Sequence, residues 1–269
     1  VIRLPDSPLS ADALTGLADH QRTIDSLPDH AERVARAKKS FSSVNKPGNP
    51  IFDEVKATLT RMCSGARRCA YCEDSCADEV EHIRPKSLYP EVVFAWMNYL
   101  YACGICNRHK DNHFAVFADD TGLLTNVSRA KKAPVVPPIA GKPVFIDPRI
   151  EDPTEFLSLD LRDTFWFLPR ARPGTVEHAR AEYTIRELRL NLRDILPGAR
   201  RSAYLDYLNH LKVYVHDKSQ GMSKQHLDML AGQVRARQHP SVWFEMKRQH
   251  KLFPELVLPF SKAPEALDW

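Results

Sequence analysis

Glycine is scarce in this chain, 10 of 269 residues, and no apolar run approaches the roughly 18 residues that a membrane-spanning helix needs. The first lack argues for a helix-rich globular protein, and the second excludes a transmembrane helix. The opening VIRLPDSPLS has neither the basic segment nor the apolar segment of a secretory signal, so the cytoplasm is the expected compartment. No Walker A pattern occurs, so any dependence on nucleotide has to come from elsewhere. Internal repeats and low-complexity tracts are absent too. A formal charge of +4 is compatible with a polyanionic partner but does not identify one.

What is present is an ordinary globular composition, 43% hydrophobic and 27% charged, at a length that buries roughly three quarters of the unfolded surface. Apolar periodicity predicts helices over 10–25, 28–42 and 51–63, with Ser10 and Asp53 as cap or first-turn residues and a break at Pro47-Gly48. Residues 64–118 hold the cysteine, histidine and asparagine cluster, with a short helical turn expected at 91–98 and a longer helix from 106. The proline-rich stretch 119–149 reads as a linker ending in the short strand PVFIDP. Helical periodicity returns at 175–193, 197–217 and 223–238, with a strand expected at 163–168. Four regions follow: an N-terminal helical region 1–63, a cysteine-bearing module 64–118, a linker 119–149 and a C-terminal helical region 150–269. The expected class is mainly α with a small α+β module.

Six cysteines in a reducing compartment point to metal ligation rather than disulfides. Cys69-x2-Cys72 and Cys103-x2-Cys106 supply four thiolates, the donor set of a tetrahedral structural Zn²⁺ site. Two such knuckles clip together segments about thirty residues apart. Cys63 and Cys76 are left over and read as small apolar side chains, with Cys76 the one competitor as a ligand.

Glu81-His82 and Asn98 lie between the knuckles, and Asn107 follows the last cysteine, so a zinc clip brings them near one another. Phosphodiester hydrolysis needs a base that is neutral near pH 7, a divalent ion to stabilise charge on the phosphate, and a group that orients the base. His82 suits the base. Glu81 and Asn107 offer hard oxygen donors for Mg²⁺, which keeps most of its waters. Asn98 is placed to orient the base. A zinc module without chemistry has no need of this set.

The combination CAYC, VEHIRPKS and FAWMNYLYACGICNRHK, residues 69–114, resembles the HNH endonucleases with a ββα-metal fold. It is most like the group that includes the HNH subunit of Septu and related retron anti-phage defence systems, which works beside an ATPase. Weaker likeness continues through FIDPRIEDPTEFL and TIRELRLN. The resemblance implies that His82 is the general base and Asn98 the middle asparagine of the signature. It further implies that Glu81 and Asn107 hold a catalytic Mg²⁺ or Mn²⁺ while Cys69, Cys72, Cys103 and Cys106 hold a separate structural zinc. It implies cleavage to a 5′-phosphate and a 3′-hydroxyl and an AAA or ABC-type ATPase as partner, with DNA the expected substrate and RNA left open.

Two departures stand out: asparagine rather than histidine at 107, and glutamate rather than aspartate at 81. His109, Asp111 and His113 lie close enough in sequence to join or replace the metal ligands. Arg84, Lys86 and Lys110 are candidate phosphate contacts, whereas Trp96 reads as core. The helical flanks on so small a catalytic module suggest partner docking. The alternatives are a zinc-ribbon-like module that binds nucleic acid or a partner without chemistry, a structural adaptor, and a nuclease that cuts transfer RNA or other RNA.

Overall fold

The computed structural model describes residues 1–269, about half of them helical, with three small sheets. Helices α1 (Ala11–Asp25), α2 (His30–Val44) and α3 (Pro50–Met62) open the chain. Each begins with a side chain that accepts from a backbone N–H of the first turn: Ser10 from Ala13, Asp29 from Glu32 and Asn49 from Phe52. Pro50 at the first helical position and Gly48 at φ 84° make the break between α2 and α3. Asp53 accepts from the Gly48 N–H at 3.1 Å. The buried faces carry Leu17 and Ile24, then Val34, Ala37 and Phe41, then Phe52, Val55, Leu59 and Met62, the spacing of amphipathic helices.

The central module is an antiparallel pair, β1 (Glu79–His82) and β2 (Tyr99–Ala102), followed at once by α4 (Gly104–Lys110). Glu81 pairs with Leu100 and His82 with Tyr99. The connection 83–98 holds two short 3-10 turns, Pro90–Val92 and Trp96–Asn98, where one helical turn was expected. α4 is shorter than expected because Asp111, at φ 38° and ψ −120°, turns the chain out of the helix.

The stretch read as a linker is partly sheet. β3 (Ala115–Ala118) lies between β4 (Leu124–Asn126) and β5 (Gly141–Pro143), so the sheet runs across the expected boundary at 118. The strand expected at PVFIDP comes earlier, at 141–143, because its ladder pairs Gly141 with Ala118 and Pro143 with Val116. A Cβ at Gly141 would lie 2.4 Å from the Phe117 carbonyl oxygen, so glycine is required there.

A two-stranded unit, β6 (Leu157–Leu159) with β7 (Phe167–Pro169), precedes α5 (Val176–Glu187). α5 stops before the expected 193 because Arg189 adopts φ 50°, which lets Leu188 and Leu190 both enter the core while Leu192 stays 71% exposed. α6 (Ile195–Ser219), α7 (Lys224–Arg235), α8 (Pro240–Gln249) and α9 (Pro254–Lys262) complete the chain. One contiguous hydrophobic core runs from Val1 to Ala266, so both helical regions are packed onto the module. No helix is long and apolar enough to cross a membrane.

Candidate active site and metal centre

Cys69, Cys72, Cys103 and Cys106 are all buried, and their sulfur atoms lie within 4.8 Å of one another. The Cys72 and Cys103 sulfurs are 3.9 Å apart, close to the edge of about 3.8 Å of a tetrahedron with zinc–sulfur bonds of about 2.3 Å. The four cysteines are positioned to bind a metal ion and fit structural zinc. The first knuckle is a turn closed by Glu73 N–H to the Cys69 carbonyl, and it is tied to β2 by Ala70 N–H to the Tyr101 carbonyl at 3.0 Å. The second is the start of α4, where the Cys103 sulfur accepts from the Cys106 N–H. Arg193 donates to the Cys106 sulfur at 3.5 Å and to Ser75 Oγ at 3.3 Å, a contact sequence reading missed. Cys76 is exposed and outside the cluster. Cys63 donates to the Leu59 carbonyl, and burial pushes its thiol up to about 11, so it is inert.

Beside this cluster lies a cleft of about 480 Å³ whose lining includes Glu81, His82, Lys86, Asn107 and Asp111. His82 is 2% exposed, between the edges of Phe41 (ring centroids 4.4 Å apart) and Tyr99 (5.2 Å). Its Nε2 lies 3.0 Å from the Val93 carbonyl oxygen. A carbonyl only accepts, so Nε2 carries the proton and Nδ1 is the basic nitrogen. Nδ1 has no hydrogen-bond partner. The Val93 oxygen also accepts from Tyr99 OH at 2.7 Å, which fixes the carbonyl that fixes the ring. Burial and the Lys86 and Lys110 ammonium groups hold the His82 pKa well below its ordinary value, against the opposing Val93 hydrogen bond. The imidazole is therefore neutral at pH 7.

Asn98 does not touch the imidazole. Its Oδ1 accepts from Arg84 N–H at 2.7 Å, and its Nδ2 donates to the Arg84 and Val92 carbonyls at 3.1 and 3.0 Å. It closes the 84–92 loop that contains Val93's neighbour, and so orients His82 through the backbone. Arg149 holds the other end, donating to the Tyr99 carbonyl at 2.6 Å with its guanidinium 4.5 Å from the Trp96 ring centroid. Trp96 donates its indole N–H to the Ser7 carbonyl, a packing role as expected.

Lys110 departs from expectation. It is completely buried, donates to the His82 carbonyl at 2.7 Å and lies 2.7 Å from Glu81 Oε1. It cannot reach a phosphate, because i, i+4 spacing puts it on the same inward face of α4 as Cys106. The same ammonium thus holds the His82 carbonyl and ion-pairs with Glu81 Oε1. Asn107 donates Nδ2 to Glu79 Oε2 at 2.5 Å, which leaves its own Oδ1 free. The Glu81 carboxylate, ion-paired to Lys110 through one oxygen, and a free amide oxygen on the same cleft offer hard oxygen donors that fit a hydrated Mg²⁺ or Mn²⁺.

Of the three neighbours in sequence, Asp111 alone lines the cleft. His113 points away, its Nδ1 2.7 Å from Glu187 Oε2 on α5, and His109 sits under the influence of Arg189 and Arg193. Lys86 lines the cleft with its ammonium 5.5 Å from the Phe41 ring centroid, whereas Arg84 is exposed outside it, over Tyr89. Lys38, Arg129 and Lys131 also line it, and nothing local in the sequence marked them.

Part of the chain is 35% identical, over 71 residues, to the Septu protein PtuB of Bacillus thuringiensis. The match covers 24% of this chain and 28% of that protein, so the chain spans less than a third of its relative's length. No protein-family model matches the chain. The relationship is thus partial, and the roles of the cleft residues rest on their geometry.

Proposed function

We propose that the protein is a metal-dependent HNH-type endonuclease that hydrolyses nucleic-acid phosphodiester bonds, DNA in the first place. The observation that carries this reading is His82: a buried neutral imidazole whose Nε2–H is pinned to a carbonyl and whose Nδ1 has no partner, in a residue that lines one cleft with Glu81 and Asn107. The order β1, β2, α4 and the cysteine cluster beneath it support the same assignment.

In this reading Nδ1 takes a proton from water as the oxygen attacks phosphorus, and the bond from phosphorus to the 3′ oxygen breaks, giving a 5′-phosphate and a 3′-hydroxyl. Glu81 and Asn107 would hold a divalent cation that stabilises charge on the phosphate and leaving oxygen. Lys110 fixes the Glu81 carboxylate from below, and Asn98, Tyr99 and Phe41 keep the imidazole in place. Cys69, Cys72, Cys103 and Cys106 would hold a structural zinc, tying α4 to the first knuckle and so setting Asn107 against β1. Partial similarity to a Septu protein supports a role in anti-phage defence, and the family resemblance supports an ATPase partner that gates the nuclease.

The test incubates purified protein and Mg²⁺ or Mn²⁺ with supercoiled plasmid and transfer RNA, comparing wild type with His82→Ala. Cleavage by wild type and a loss of about 10²- to 10⁴-fold in the variant, with zinc content unchanged, is expected. Equal cleavage by both proteins would refute the base. Transfer RNA as the sole substrate would replace DNA by RNA, and nucleic-acid binding without cleavage, with or without a partner ATPase, would favour the binding module.

A further inference from the structure

The cleft has an acidic interior and a basic rim, and the rim comes from parts of the chain far apart in sequence. Lys38 belongs to α2, Lys86 to the loop after β1, and Arg129 and Lys131 to the segment after β4. Two contacts join these pieces. The Lys86 ammonium lies over Phe41 of α2, and the next residue, Ser87, accepts from Arg129 Nη1 at 2.9 Å through its carbonyl. The Arg129 carbonyl in turn accepts from Asn112 Nδ2 at 3.0 Å, just past α4. The 129–131 segment is therefore tied to the cleft at two points. Lys38 and Lys131 are exposed and hydrogen-bond to nothing in the protein, whereas Arg237, Arg248 and Lys218 of the C-terminal helical region pair with intramolecular carboxylates. Bare ammonium groups flanking a carboxylate-bearing cleft suit a polyanion whose phosphates extend beyond the central one.

We propose that Lys38 and Lys131, with Arg129 fixing the loop that carries the second of them, form a clamp that seats the backbone phosphates on either side of the one cleaved. The clamp rests on the nuclease reading for its ligand. It gives the N-terminal helices and the 129–131 segment a substrate-binding role that neither has by motif. Its contacts are to phosphate, so it strengthens binding uniformly across base sequences.

The test measures binding of a short fluorescein-labelled DNA duplex in Ca²⁺ as a function of salt, for wild type, Lys38→Ala/Lys131→Ala and the control Lys224→Ala/Lys251→Ala, which removes the same charge from exposed sites outside the cleft. Loss of two phosphate contacts lowers the slope of log affinity against log salt by about 1.8 and weakens binding tenfold or more near physiological salt. The control is expected to move the slope by a small fraction of that. An unchanged slope in the cleft variant, an equal change in the control, or no binding by wild type would each overturn the clamp. The result is separable from the nuclease reading: a clamp variant with unchanged slope beside an inactive His82→Ala sinks the clamp alone. A reduced slope in the clamp variant beside a wild type that cuts neither plasmid nor transfer RNA sinks the nuclease alone.

Discussion

The N-terminal helices reach the cleft directly, through Phe41 against the His82 ring and Lys38 on the rim, whereas the C-terminal region reaches the cysteine cluster, through Arg193 on the Cys106 sulfur. One flank sets the solvation of His82 and the other backs the four-cysteine cluster. Partner docking is therefore not needed to explain why so small a module carries two helical regions. Each covers a surface that the module, with two four-residue strands and a seven-residue helix, is too small to cover itself.

The contrast is broken most forcefully at Phe41. Phe41→Ala removes a buried ring that packs on Phe52, Phe94 and Tyr99 as well as His82, with an expected loss of about 3–5 kcal/mol of stability by chemical denaturation. It also wets the imidazole. A histidine whose folded pKa lies below 6.5 is neutral in the native state, so its contribution to stability is complete above the unfolded pKa and declines as pH falls from there to the folded value. Cleavage by wild type should persist below pH 6.5, where a solvated histidine is already protonated. In Phe41→Ala, or in Phe41→Leu if alanine does not fold, the acid limb of the pH–rate profile should move up toward 6.5. An unmoved limb would show that burial by α2 does not set the base.

The other half of the contrast is tested at Arg193. Arg193→Met keeps the aliphatic stem but removes the N–H groups that reach Cys106 and Ser75. Outer contacts of this kind are worth about 10- to 100-fold in metal affinity, so the variant should release zinc to a chelator correspondingly sooner, with the pH–rate profile unchanged. Zinc retention equal to wild type would make Arg193 a mere packing residue.

These two flanks also mark what the sequence could and could not disclose. The cysteine pairs were legible because metal ligands need fixed spacing within a turn, and Glu81, His82 and Asn107 because the clip forces them together. Phe41, Lys38, Arg129 and Lys131 were not, because each acts across a tertiary contact: Phe41 looks like any core residue of an amphipathic helix, and Arg129 lies in a proline-rich stretch whose strands are three residues long. Lys110 was misplaced for the opposite reason. Its motif position suggested a surface cation, but α4 turns it inward behind Cys106, where the Glu81 carboxylate and His82 carbonyl compensate its burial.

The smallest expected effect, and the sharpest on how the cleft is shaped, concerns Asp111. It ends α4 at φ 38° and ψ −120°, a conformation natural to glycine and strained for any other residue, and it lines the cleft beside Glu81 and Asn107. Asp111→Gly should relieve that strain and stabilise the protein by about 0.5–1 kcal/mol, a rise of about 2 °C in melting temperature. It also removes a carboxylate that faces Lys86, whose ammonium then competes more strongly with a cation at Glu81, so half-maximal cleavage should need a fewfold higher Mg²⁺ concentration. Greater stability with a poorer metal response would mean that the strained turn is kept for its carboxylate. Lower stability would instead mean that the Asp111 side chain holds the turn, and the cation would then answer to Glu81 and Asn107 alone.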